Sequence, residues 1–215
     1  MAPGMTGMKM GGGSQFDLDE RMEEIVGQPP RIAALSDDEM SDEVREICKM
    51  MRASFGIAEN GVIPEVMRQM LRHPDLFDVQ MKMGMLLAAK NTIPAREREL
   101  AILRNAWLIG APYEWGEHVD IGKRMGLTGE EIERCTIGSA ADGWSEHDRA
   151  IVKGVEELVE RYMISDETWA VLARTWDDRQ LMEFPVLIGQ YISTALQQNS
   201  LRVRLAPDNP GFTHR

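Results

Sequence analysis

From about residue 37 onward the chain repeats one pattern: a capping or proline residue, an acid in the first turn, then apolar residues three and four positions apart. Ser36-Asp-Asp-Glu39, Pro64, Pro94, Pro112, Thr128-Gly-Glu-Glu131, Ser145-Glu-His-Asp148 and Ser165 each open such a stretch. A Ser or Thr side chain accepts from an otherwise unsatisfied first-turn amide, and an acid three positions later reaches back to the cap. Almost no segment alternates apolar and polar residues between turn signals, as a half-buried strand does. The spacing therefore predicts an all-α fold.

Helices are expected from Ser36 through Met51 and Phe55, from Pro64 to Leu71, and from Asp75 to Lys90 after the His73-Pro74 break. Pro94 starts a helix to about Ile109, and Gly110-Ala-Pro112 breaks it before the next, which Gly126 stops. The final element, about Asp178 to Gln198, is apolar around most of its circumference and should be central or at an interface, bent at Pro185. Met50, Met51, Met67, Met70, Met81, Met83 and Met85 are spaced as core fillers.

The chain's 215 residues, 43% of them hydrophobic, suffice for one substantial core. We place a single helical domain at residues 16–206, between an N-terminal tail (1–15) and a polar C-terminal tail (207–215) expected to be disordered or to lie over a neighbouring subunit. With 24 basic against 35 acidic residues, the charge of −11 opposes binding to nucleic acid or anionic membranes. No run approaches the roughly 18 apolar residues of a membrane span, and the start lacks the apolar core of a signal peptide. A cytoplasmic location is expected. Cys48 and Cys135 are isolated and read as reduced thiols, and no cysteine–histidine grouping has zinc-ligand spacing, so neither metal nor cofactor is expected.

The chemistry concentrates in Pro112–Met125. At about 100° per residue from Glu114, His118 falls at about 40°, Ile121 at about 340° and Met125 at about 20°, with Glu117, Asp120, Lys123 and Arg124 opposite. A carboxylate and an imidazole thus occupy the apolar side of a helix. On the preceding helix Glu99 shares a side with Ile102, Leu103 and Ala106, and the short turn between the helices brings it towards Glu114 and His118. Buried carboxyl and imidazole groups have shifted pKa values and suit proton transfer near neutral pH. Glu114 and His118 also have the spacing of an i,i+4 packing pair.

The stretch Pro94-Ala-Arg-Glu-Arg-Glu-Leu-Ala-Ile-Leu-Arg-Asn-Ala-Trp107, with Tyr113-Glu-Trp-Gly-Glu-His118 and Gly126-Leu-Thr-Gly-Glu-Glu-Ile132, resembles the carboxymuconolactone decarboxylase family, which includes the AhpD-like alkylhydroperoxidases. The specific match covers roughly residues 92 to 135. Ile63-Pro64, His73-Pro74 and Ser165-Asp-Glu-Thr-Trp169 look like the longer members. The resemblance implies an all-helical subunit that assembles into homotrimers or homohexamers, with active sites near subunit interfaces. In the peroxidase branch a glutamate and a CxxC followed by histidine form a thiol site. Matching by spacing, that glutamate is Glu99 and the histidine His118, while Ala111 and Glu114 occupy the cysteine positions. The decarboxylase branch, which uses acid/base side chains, fits better.

The expected activity is that of a cofactor-independent lyase of decarboxylase type in aromatic-compound catabolism, acting on a small carboxylated or aromatic-derived metabolite. His118 is the expected proton donor, Glu114 its orienting partner and Glu99 the relay. Arg98 is a candidate clamp for a substrate carboxylate, with a solvated or intersubunit ion pair as the simpler role. Tyr113 and Trp115 are candidates for an aromatic lining or for helix anchors. Gln190 and Tyr191, polar breaks in the final helix, are secondary pocket candidates, and His73 and His147 are expected at the surface or as caps. The alternatives are a thiol-dependent peroxidase or sensor using Cys48 or Cys135, and a non-catalytic oligomeric scaffold.

Overall fold

A computed structural model of the chain describes residues 13–215, so most of the N-terminal tail lies outside the described residues. Among these, ten α-helices form and no strand: α1 (Leu18–Ile25), α2 (Asp42–Phe55), α3 (Glu65–Met70), α4 (Pro74–Ala89), α5 (Ala95–Leu108), α6 (Pro112–Arg124), α7 (Gly129–Ile137), α8 (Glu146–Arg161), α9 (Asp166–Leu172) and α10 (Asp178–Leu201). The all-α expectation holds. None of these helices is long and apolar enough to cross a membrane.

The caps fall where the side-chain chemistry requires them. Thr128 accepts from the Glu131 amide while Glu131 reaches back to the Thr128 amide, and Ser145 and Ser165 accept from the amides of Asp148 and Thr168. At Ser36 the expectation needs correction: its capping box closes a single 3-10 turn, Asp37–Glu39, and Ser41 starts the helix proper. Two serine caps five residues apart compete, and the later one leads into the apolar periodicity. The sequence reading also passed over α1, whose cap is Asp17. α10 runs unbroken through Pro185 to Leu201, three residues past its expected end.

α5 is the axis of the fold. Every residue from Arg98 to Trp107 is buried, and the helix packs against α6, α7, α8 and α10. Around it Leu100, Ile102, Trp115, Ile132, Ile151 and Phe184 join one apolar core. Full burial of each such side chain stabilises by about 1.5–3 kcal/mol. A smaller apolar cluster, including Val44, Cys48, Ile63 and Phe77, joins α2 to α3 and α4. Of the methionines read as core, Met51 is buried and Met67, Met70 and Met81 partly so, but Met50, Met83 and Met85 are exposed along α2 and α4.

Two contacts set the angle between α5 and α6. Gly110, in the turn, has φ +62, where a side chain would be strained, and a Cβ there would stand 2.8 Å from the Phe16 ring. Its carbonyl accepts from Arg21 Nε (3.3 Å) and Asn199 Nδ2 (3.1 Å), tying the turn to α1 and α10. The segment after α10 then packs over α6 of its own chain, where the sequence suggested a disordered arm or one lying over a neighbour. Trp115 Nε1 donates to the His214 carbonyl (3.1 Å), Phe212 packs edge-on against Trp107, and Asn209 Nδ2 donates to the Tyr113 carbonyl (3.1 Å) and Glu117 Oε1 (3.0 Å).

Gly116 permits this strap. A Cβ at that position would stand 1.6 Å from Asn209 Oδ1, and Asn209 is held on both sides because Oδ1 accepts from the Gly211 amide. Gly116→Ala is therefore expected to lower stability by about 1–3 kcal/mol in urea unfolding and to expose residues 207–215 to limited proteolysis.

Candidate active site

α5 and α6, fixed by their turn, bring Glu99 against His118. His118 Nδ1 lies 2.6 Å from Glu99 Oε2, and the Glu99 side chain is 1% exposed. Burial alone would raise the Glu99 pKa, but the hydrogen bond from His118, together with the charges of His118 and Arg98, brings it below the ordinary carboxylate value. An ionised carboxylate only accepts, so the proton in this contact belongs to Nδ1 and Nε2 is the ring nitrogen left for a substrate. Nε2 makes no hydrogen bond among the described residues. At 13% exposure His118 opens the cluster to solvent.

Arg98 closes the other side of Glu99. Its Nε and Nη2 meet Glu99 Oε1 at 3.0 and 2.9 Å, and Nη1 donates to the Ala88 carbonyl at the end of α4 (2.9 Å). It is buried, which corrects the expectation of a solvated residue. Each of its three nitrogens thus has an acceptor within the chain, which ties Arg98 first to Glu99 and to the end of α4.

Glu114 behaves differently. It is buried, and neither carboxyl oxygen has a hydrogen-bond partner among the described residues. Burial pushes its pKa well above the carboxylate range and so favours the uncharged acid. The contact that orients His118 comes from Glu99 and not from Glu114. Tyr191 of α10 lies edge-on to the His118 ring, with centroids 5.1 Å apart, and its phenol pKa is raised by burial and then by the carboxyl groups of Glu99 and Glu114. α10 thus adds a fourth titratable group beside Glu99, Glu114 and His118.

The profile of the carboxymuconolactone decarboxylase family (CMD) matches residues 74–157. The family segment runs from the start of α4 into α8 and contains Glu99, Glu114 and His118, while α9, α10 and the strap lie outside it. Among solved structures the chain is similar to a peroxidase-related protein with an alkylhydroperoxidase AhpD core from Ralstonia eutropha JMP134: TM-score 0.68, 14% identity, 84% of this chain and 95% of that one covered. A peroxidase-related protein from Silicibacter sp. TM1040 aligns with TM-score 0.68 and 13% identity over 85% of this chain and 96% of its own. The debrominase Bmp8 in complex with 2,3,4-tribromopyrrole aligns with TM-score 0.66 and 14% identity over 84% and 94%. At these identities the likeness is one of fold. No curated protein matches the sequence.

Within the decarboxylase-family segment the aromatic candidates part ways. Trp115 is fully buried, with its ring centroid 4.7 Å from that of Trp107, and anchors the strap. Tyr113 is half-buried near the strap, where burial and then Glu117 and Asp208 raise its pKa. Met125, expected inside with Ile121, is 39% exposed at the end of α6. His73 caps α4 by accepting from the Leu76 amide. His147, in the first turn of α8, is half-buried: it packs edge-on against Trp176, whose Nε1 donates to Glu97 Oε2 (2.6 Å). Tyr191 was legible only as a polar break in an apolar helix.

Both cysteines are free and buried; burial raises the Cys48 thiol and pushes Cys135 up to about 12. Among the described residues no three His, Cys, Asp or Glu side chains are grouped as metal ligands. Three cavities, of about 160, 480 and 310 Å³, lie along α4 and at the C-terminal end of α10, and none of them is lined by Glu99, Glu114 or His118.

An unfolded chain releases the Glu114 proton near pH 4.3, roughly, whereas the folded protein retains it. Stability from this group is complete below that pH and declines as pH rises through the raised folded-state value. Glu114→Leu removes both this decline and two unsatisfied oxygens. Thermal and urea unfolding should show a gain of about 1–3 kcal/mol, larger at pH 8 than at pH 5.

Proposed function

We propose that the chain is a cofactor-independent lyase of decarboxylase type, moving protons by general acid/base chemistry on a small carboxylated or aromatic-derived metabolite. The observation that carries this reading is the 2.6 Å contact between His118 Nδ1 and the buried Glu99 carboxylate, with Nε2 unbonded. In such a reaction the bond to the substrate carboxylate breaks, carbon dioxide leaves, and the electron pair moves into a conjugated enolate. A proton must then reach carbon. Glu99 fixes the imidazole and stabilises its cationic form, so Nε2 supplies that proton and recovers one from water. Glu114, neutral and unpartnered, donates a hydrogen bond to the substrate oxygen on which negative charge develops. Arg98 acts through Glu99 as a positioning residue, and Tyr113 and Trp115 support α6 and the strap.

A thiol-dependent peroxidase is the second reading, favoured by the descriptions of the Ralstonia and Silicibacter proteins. Against it, a thiolate is the nucleophile in such chemistry, and burial disfavours the thiolate of both Cys48 and Cys135. We also propose that the chain forms homotrimers or homohexamers. Leu76, Val79, Met83 and Leu86, at three- and four-residue steps along α4, are 42%, 63%, 38% and 50% exposed, an apolar stripe that supports self-association.

The test is a turnover screen of small carboxylated and aromatic-derived compounds in deuterium oxide, reading carbon dioxide release and deuterium at the carbon that lost it. His118→Gln and Glu99→Gln should each lower kcat by about 10²–10⁴-fold. Equal turnover in these variants and the wild type would overturn the proton-transfer reading. The Cys48→Ala/Cys135→Ala double variant should retain wild-type kcat, whereas the peroxidase reading requires peroxide turnover that this variant loses. Light scattering of the wild type at several concentrations should give three or six chains per particle; a monomer would overturn the proposed assembly.

A further inference from the structure

Outside the Glu99–His118 cluster, the ends of α1 and α10 form a polar cavity of about 310 Å³ whose lining includes Arg21, Glu24, Arg31, Asn199, Ser200 and Arg202. In a chain of net charge −11, this wall carries three guanidinium groups and one carboxylate. The carboxylate is already engaged, because Glu24 Oε2 pairs with Arg21 Nη1 at 3.1 Å. The backbone acceptors nearby are engaged too: Arg31 Nη1 donates to the Ser200 carbonyl (3.1 Å), and the Leu201 carbonyl accepts from the Arg31 amide (3.0 Å) and from Gln69 Nε2 (3.3 Å).

Donors remain in surplus. Among the described residues the Arg202 guanidinium makes no hydrogen bond or ion pair, and the Ser200 hydroxyl and the Nε and Nη2 of Arg31 are unbonded. Arg202 also holds φ +54, a left-handed conformation rarely adopted by residues other than glycine. Two helix carboxyl ends lie here and would repel an anion, but the α10 carbonyls just named have donors and three arginine charges stand against both ends.

We infer that this cavity is a binding site for a small anion with several oxygens, either a phosphorylated compound or a polycarboxylate. Guanidinium groups suit this class, because Arg31, through Nε and Nη2, and Arg202 keep paired N–H donors that can meet paired oxygens. The volume exceeds that of an inorganic anion and admits a compact organic one. Arg21 and Asn199 each donate to the Gly110 carbonyl, so the site shares its walls with the turn that precedes α6. The inference is independent of the proposed lyase activity.

The experiment is isothermal titration calorimetry of the full chain with pyrophosphate and with citrate, at ionic strength matched by sodium chloride. Saturable binding of one anion per chain is expected, at least tenfold weaker in Arg31→Gln/Arg202→Gln with its circular dichroism unchanged. Tighter binding of pyrophosphate assigns the phosphorylated class, and tighter binding of citrate the polycarboxylates. Should the double variant fail to fold, Arg202→Gln alone carries the comparison, since its side chain makes no bond to lose. No saturable heat with either anion, or wild-type affinity in the variant, would overturn the site.

Discussion

Burying a helix that carries five ionic residues is the constraint on which this structure rests. Each charged group of α5 needs a partner once water is gone, and α5 meets the need by sending almost every one to a different neighbour. Arg96 pairs with Glu131 of α7 and Asp148 of α8, and Glu97 accepts from Trp176 ahead of α10. Arg98 holds the end of α4, Glu99 holds His118 of α6, and Arg104 bonds the Cys135 carbonyl and Glu156. These contacts specify which helix lies where around α5, a selectivity that apolar packing does not supply. Breaking one leaves a buried charge uncompensated, so they tolerate substitution poorly.

The same arrangement shifts two carboxyl groups on adjacent helices in opposite directions. Glu99 and Glu114 are equally dry, but Glu99 has a guanidinium on one oxygen and an imidazole on the other, whereas Glu114 has neither. Environment alone holds one below the ordinary carboxylate range and pushes the other above it. A site with both forms at hand can accept and deliver protons without recruiting a metal ion for the purpose. The phenol of Tyr191, beside the imidazole, extends that set onto α10.

Much of the fold could be read from the chain, because helix caps are local chemistry. Thr128, Ser145 and Ser165 announce their helices within four residues. Competing caps are harder, as Ser36 and Ser41 show, and a short helix such as α1 has too few turns for its periodicity to stand out. For the candidate site, facial spacing placed Glu99, Glu114 and His118 inward, but it could not choose which carboxylate meets the imidazole. That choice depends on the crossing of two helices, set by Gly110, and on Arg98 turning inward beside Glu99. The strap escaped notice for a similar reason: a polar, Pro/Gly-rich segment reads as unstructured until Trp115 and Asn209 give its backbone something to bond.

The doubly bonded carbonyl of Gly110 bears on how the enzyme-like cluster is assembled. Because α1 and α10 grip the corner between α5 and α6, the spacing of imidazole and carboxylate is part of the scaffold and does not wait on loop closure. Little reorganisation then accompanies each proton movement. A substitution at Gly110, Arg21 or Asn199 would therefore reach the charge pair through the backbone, without touching either of its side chains.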